Sequence, residues 1–293
     1  MKRVGAHNHA APERRGGAGD FRRACEVLAS SCRAPDAWDD LREERELIAR
    51  WAGEIGLPGG DSFAPASLFR ARLSFDWGHA LEALDDASFS AVVSVKDTGR
   101  LDRARAEGRG IVFATMAGLF TETLPRWLAL NGGAGQLIVG LHAGKTGGWF
   151  TPERPLSLAG ELKHAQAMLR NGGHVHMMVD GYHGARGIGV DFLGRLRAFQ
   201  PTFAELAART GALIIPVVSG VTPEGEVRIS LLPELASPIA MRDPQGGTSA
   251  EWIAAIVGQA ANFVAYGWQT RPEAVKWGHM RRFLALPRVE AAA

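Results

Sequence analysis

With 293 residues, 46% hydrophobic and 22% charged, the chain holds enough apolar material for one large α/β domain, which excludes a wholly disordered chain. Its formal net charge is +2, and bases are interleaved with acids, so the basic stripe of a nucleic-acid binder is missing. No run approaches the roughly 20 apolar residues that span a bilayer, so any membrane contact is expected to be peripheral.

Residues 1–20 are rich in Gly, Ala, Arg and His and lack the apolar core of a secretion signal. They are expected to form a disordered tail, followed by a single domain over 21–293 whose 21–90 portion is helical. Phe21, Cys25 and Leu28, then Leu41, Leu47, Ile48, Trp51 and Ile55, predict two amphipathic helices broken at Pro35. Cys25 and Cys32 have no His or Cys neighbour at zinc-ligand spacing, so free thiols are expected and a disulfide or metal site is not. A third helical stretch over 67–84 carries Leu68, Phe69, Leu73, Phe75, Trp77 and Leu81 and suits either a core cap or a lipid-facing flap.

The rhythm then changes. A β-branched run at 91–95, a helical stretch at 98–107 and the segment 110–115 read as strand, helix, strand. The unit repeats with a strand at 136–141, a helix at 158–171 stopped by Gly172-Gly173, and a strand at 174–179. A helix at 202–210 ends at Gly211 and leads to a strand at 213–219; after the turn Pro223-Glu224-Gly225, residues 226–231 add a hairpin-like strand. This alternation predicts an α/β fold with a mostly parallel central sheet, helices on both faces, and ligands gathered beyond the strand carboxyl ends. A last helix over 249–266 precedes a tail of Trp268, Trp277 and Phe283 among Arg271, Lys276, Arg281 and Arg282. That mixture suits a membrane-interface anchor or core packing.

Four blocks, in shared order and spacing over about 92–283, resemble one family. They are GRGIVFAT at 108–115; GGHVHMMVD at 172–180; GVDFLGR at 189–195, continuing through Pro201, Thr210-Gly211-Ala212 and Pro216; and Arg271-Pro272-Glu273 with Trp277, His279, Arg281 and Arg282. The chain is similar to the bacterial lipid A biosynthesis lauroyl/myristoyl acyltransferases, within the lysophospholipid acyltransferase superfamily. The resemblance implies acyl transfer from an acyl-carrier-protein or CoA thioester, with no bound cofactor or metal, on the cytoplasmic side or peripherally on the inner face of the membrane. The N-terminal membrane helix typical of that family has no counterpart in this sequence.

One departure matters for chemistry. The family's first strand is followed by H-F-G-x-W-E, in which a His and an acid spaced H-x-x-x-x-(D/E) work together. Aligned on Gly118, this chain has Met116 in place of the His and Thr121 in place of the acid. A thioether has no usable basicity at neutral pH, so a general base must come from elsewhere. Thr115, Glu122, Asp180 and His183 are the candidate catalytic residues: Glu122 is one position past the acid's place, and His183 follows the Asp that resembles the family's own. His142 and Lys145 in the glycine-rich loop at 141–149, with Arg186 and Arg195 among the glycines of 180–197, are candidate substrate-binding residues, and His142 also suits a relocated base or a plain surface-loop residue. Planar guanidinium groups suit phosphate or carboxylate capture, although a solvated basic loop explains the arginines as well. His174 and His176 alternate on their strand and read as half-buried structural residues. Two functions stay open: an acyltransferase with a relocated base acting on a hydroxyl or amine, or a noncatalytic relative whose cleft binds a lipid, an acyl chain or a partner protein. A repurposed tailoring enzyme is a variant of the first.

Overall fold

The computed structural model describes residues 17–33, 41–57, 67, 81, 83–116, 120–133, 135–139, 157–181, 187–237, 241 and 247–289. The predicted pair of N-terminal helices is present as α1 (Ala18–Ser31) and α2 (Arg42–Glu54). Residues 18–20, expected in the tail, form the first turn of α1. Most of the apolar stretch over 67–84 lies outside the described residues.

The α/β part follows as α3 (Asp86–Val92), β1 (Val93–Lys96), α4 (Gly99–Ala106), β2 (Ile111–Thr115), α5 (Phe120–Leu130), β3 (Gln136–Ile138), α6 (Leu158–Arg170) and β4 (His174–Met178). Then come β5 (Ile188–Phe192), β6 (Arg195–Phe199), α7 (Thr202–Thr210), β7 (Leu213–Val221) and β8 (Val227–Leu231). The chain finishes with α8 (Ala250–Thr270), a short 3-10 turn and α9 (Trp277–Leu284). Local chemistry sets several of these boundaries. Asp85 accepts from the Ser88 amide at 2.7 Å to start α3, and Ser249 accepts from the Trp252 amide at 3.1 Å to start α8. Gly211, at φ 72°, supplies the left-handed residue that closes α7.

The main sheet has the order β1-β8-β7-β2-β4-β3. Strands β7, β2, β4 and β3 run parallel to one another, while the β1–β8 pair runs antiparallel to them across β7. Side chains alternate between two buried clusters, as the pleat requires. On β2 and β7, Val112, Ala114 and Ile214 join one cluster with Ile48 and Trp51 of α2, Ala165 and Leu169 of α6, and much of α7 and α8. Ile111, Phe113, Leu213 and Ile215 join the other with Phe21 and Leu28 of α1, Phe89, Leu101 and Leu124. Apolar residues at consecutive positions on β2 and β7 thus reflect a sheet covered on both faces.

Within the 180–197 stretch, read as either an anion-capturing segment or a solvated basic loop, residues from 188 on belong to a second, two-stranded antiparallel sheet, β5–β6. Its turn is unusual in composition, with Leu193 at φ 54° and Gly194 at φ 77°, and Asp191 Oδ1 accepts from the Gly194 amide at 3.0 Å. Periodicity hid this hairpin because the buried face of β6 carries Arg195 and Arg197 beside Phe199. Of the two readings left open for the aromatic C-terminal part, core packing accounts for Trp252, Phe263, Trp268, Met280 and Phe283, which are buried, while Tyr266 is exposed. Those buried rings are spent on packing, not on a headgroup layer. Among the described residues no helix is long and apolar enough to cross a membrane.

Candidate functional site

The parallel strands bring their carboxyl ends to one edge. Thr115 ends β2 and pairs with Met178, the end of β4, and the Val179 amide continues the pairing by donating to the Thr115 carbonyl at 2.9 Å. Met116 and Asp180, each just past its strand, therefore share this edge. Thr115 is fully buried, and its hydroxyl donates to the Met177 carbonyl at 2.9 Å, which ties the two strands together.

Met116 is buried and belongs to the core cluster with α8. A Cβ built on Gly267 of α8 would overlap the Met116 Sδ and Cε, so the thioether lies directly against the helix backbone. The place where the resemblance expects a base holds a packed apolar side chain.

Asp180 is buried, and its Oδ2 lies 3.1 Å from Nδ1 of His279 in the first turn of α9. Its backbone carbonyl accepts from the Arg197 Nη2 at 2.6 Å. The Arg197 guanidinium, 1% exposed, lies within an aromatic cage, 4.5 Å from the Phe199 ring centroid, 4.9 Å from Phe192 and 5.5 Å from Trp268. Stacking over ring faces offsets part of the cost of burying a cation. The rings also brace one another: Trp268 meets Phe192 at 4.9 Å, Phe283 at 5.6 Å and Trp51 at 5.6 Å, all edge to face.

Arg195, proposed from sequence as an anion ligand, is engaged in a clamp. Its Nη1 donates to the carbonyls of Leu284 at 3.1 Å and Leu286 at 2.7 Å, and its Nη2 meets Glu54 at 2.8 Å. Arg288 also reaches Glu54, at 2.7 Å. Hydrogen bonding from Arg195 above all, then the charges of Arg288 and Arg195, holds the Glu54 carboxyl below its ordinary range. The clamp joins β6, α2 and the chain after α9.

Of the remaining expected site residues, Glu122 falls by its backbone in the first turn of α5, and its side chain is outside what is described. His142, Lys145, His183 and Arg186 lie outside the described residues. His174 and His176 are more deeply buried than the sequence suggested, on the face with Phe113, whose ring stacks on His176 at 4.9 Å. Gln136 Nε2 donates to the Pro125 carbonyl at 3.0 Å, so its Oε1, 3.2 Å from His176 Nε2, accepts from that nitrogen. Burial, aided by the charge of Arg105, pushes His174 down to about 4, and burial pushes His176 well below the usual imidazole range. Both rings are neutral core residues. Cys25 and Cys32 are buried and not joined in a disulfide, and burial, reinforced by Glu26, pushes the Cys25 thiol up to about 12. Among the described residues no group of three or more His, Cys, Asp or Glu could hold a metal ion.

Sequence reasoning placed Asp180 at the site but did not connect it to His279. Both residues stood in quoted motif blocks, yet no spacing along the chain signals that an α9 histidine returns to the end of β4.

Residues 153–268 match the family described as bacterial lipid A biosynthesis acyltransferase. Among solved structures, the 1-acyl-sn-glycerophosphate (LPA) acyltransferase PlsC from Thermotoga maritima is similar at 15% identity, over 85% of this chain and 99% of that one, with a TM-score of 0.38. No curated protein matches the chain.

Proposed function

We propose that the chain, whose residues 153–268 match the bacterial lipid A biosynthesis acyltransferase family, transfers an acyl group from a thioester donor to a hydroxyl or amine acceptor. The donor is an acyl-carrier-protein or CoA thioester supplied on the cytoplasmic side, and the acceptor is not restricted to lipid A. Reaction takes place at the carboxyl edge of the parallel strands, where α/β sheets gather their ligands. The observation that carries this reading is the buried Asp180 carboxylate at that edge, paired with the His279 imidazole and set beside the end of β2. Acyl transfer needs a group that removes a proton from the acceptor as it attacks, and an imidazole beside a carboxylate is suited to it. His279 is such a ring, and His183, three residues after Asp180 in the sequence, is the other candidate base.

The test is direct. Purified protein is incubated with acyl-CoA and acyl-carrier-protein thioesters, with and without hydroxyl and amine acceptors, while thiol release and acceptor mass are followed. Acceptor-dependent thiol release with a mass gain of one acyl group is expected. A noncatalytic role, binding a lipid, an acyl chain or a partner protein in the inherited cleft, is favoured by one specific observation: the packing of Met116 into the core where the family resemblance expects the base. Stoichiometric binding of thioester or lipid without turnover would decide for that alternative.

A further inference from the structure

We infer that His279 is the general base of this chain, standing in for the one lost at Met116, and that Asp180 is the residue that positions it. The inference rests on the acyl-transfer function proposed above and deepens it. An ionised carboxylate only accepts hydrogen bonds, so the 3.1 Å contact between Asp180 Oδ2 and His279 Nδ1 places the ring proton on Nδ1. In the neutral ring the basic lone pair is then on Nε2. The tautomer is fixed by the partner, as in other carboxylate and imidazole pairs.

Both partners are held from behind. Arg197, caged by Phe192, Phe199 and Trp268, bonds the Asp180 backbone, so the carboxylate is fixed to a buried, rigid cluster. Helix α9 is anchored by buried Met280 and Phe283, by Arg281 to Glu44 of α2, and by the Arg195 bonds just past its end. The His279 side chain keeps 15% of its surface exposed, while Asp180 keeps 3%. An imidazole with some solvent contact, backed by a buried acid, lies at the same sheet edge as Met116.

In the step assigned to it, His279 Nε2 takes the proton of the acceptor O–H or N–H as that atom bonds to the thioester carbonyl carbon. The tetrahedral intermediate collapses with breakage of the C–S bond, and the departing thiolate takes the proton from the imidazolium. The products are the acylated acceptor, a free thiol and the neutral ring. Charged groups on elements packed around α9 include Asp180, Arg195 and Arg197 toward the sheets, Glu44 and Glu54 among the charged residues of α2, Arg288 beyond its end, and Lys276, Arg281 and Arg282 in its own segment.

The experiment compares wild type, His279→Gln, Asp180→Asn and His183→Ala for thiol release from acyl-CoA and acyl-carrier-protein thioesters across pH, with melting temperature as the fold control. His279→Gln is expected to lose about 10²- to 10⁴-fold in kcat/KM, together with the acid limb of the pH profile. Added imidazole should restore part of the rate in His279→Gly. Wild-type turnover that survives His279→Gln, or that is lost in His183→Ala instead, overturns the assignment of the base and leaves acyl transfer standing. Absence of wild-type turnover with every thioester overturns acyl transfer itself, and the base with it. Should His279→Gln fail to fold, nitrogen-15 NMR of the wild type decides: a neutral ring protonated at Nδ1 supports the assignment, and one protonated at Nε2 overturns it.

Discussion

Met116 is buried, and its sulfur, which cannot accept a proton at neutral pH, packs against the Gly267 backbone. Truncation by Met116→Ala is expected to cost about 2–5 kcal/mol, the usual range for a buried Met left as a cavity, read from urea unfolding. His174 and His176 carry a different consequence. Because burial lowers their folded-state affinity for protons, the unfolded chain binds more protons below the ordinary imidazole value of 6.5. Stability should therefore be intact above pH 6.5 and fall as pH drops toward about 4, with His174 alone contributing a loss of about 3 kcal/mol. Unfolding midpoints at pH 7.5, 6 and 5 check this. His174→Leu should flatten the dependence, and an unchanged slope in that variant would count against the assignment.

Elements meet here at very short range in a few places. Gly110, which leads into β2, faces the backbone of Leu169 in α6 so closely that an added Cβ would overlap it. Backbone cannot step aside as a side-chain tip can, so Gly110→Ala should destabilise by about 1–3 kcal/mol, the range for an overpacked core, and lower the melting temperature. The β5–β6 hairpin illustrates the reverse difficulty of reading elements from residue type. Its inward face is filled by Arg195 and Arg197, whose guanidinium groups meet backbone carbonyls, Glu54 and ring faces. In a chain examined only by hydropathy, such a face looks like a solvated loop.

At the scale of the whole molecule, one sheet separates two apolar clusters whose members alternate along the same strands. Cores that share a backbone should lose their packing together. Phe113→Ala on one face and Phe283→Ala on the other are each expected to shift a single unfolding transition, by about 3–5 kcal/mol. Two separate calorimetric transitions would contradict that coupling.

The parallel core and most of the strand and helix order outside the β5–β6 hairpin were legible in the sequence. Periodicity, β-branched runs and glycine stops are local signals, and backbone preferences act over a few residues at a time. The strand at 111–115, the helix at 202–210 and the stop at Gly211 needed nothing more. Tertiary structure decided where the aromatic tail goes, that Arg195 clamps the C-terminal segment, that Arg197 is caged, and that His279 meets Asp180. These contacts join residues far apart in the chain, and their energies come from burial and charge pairing that exist only after the sheet and its covering helices have assembled.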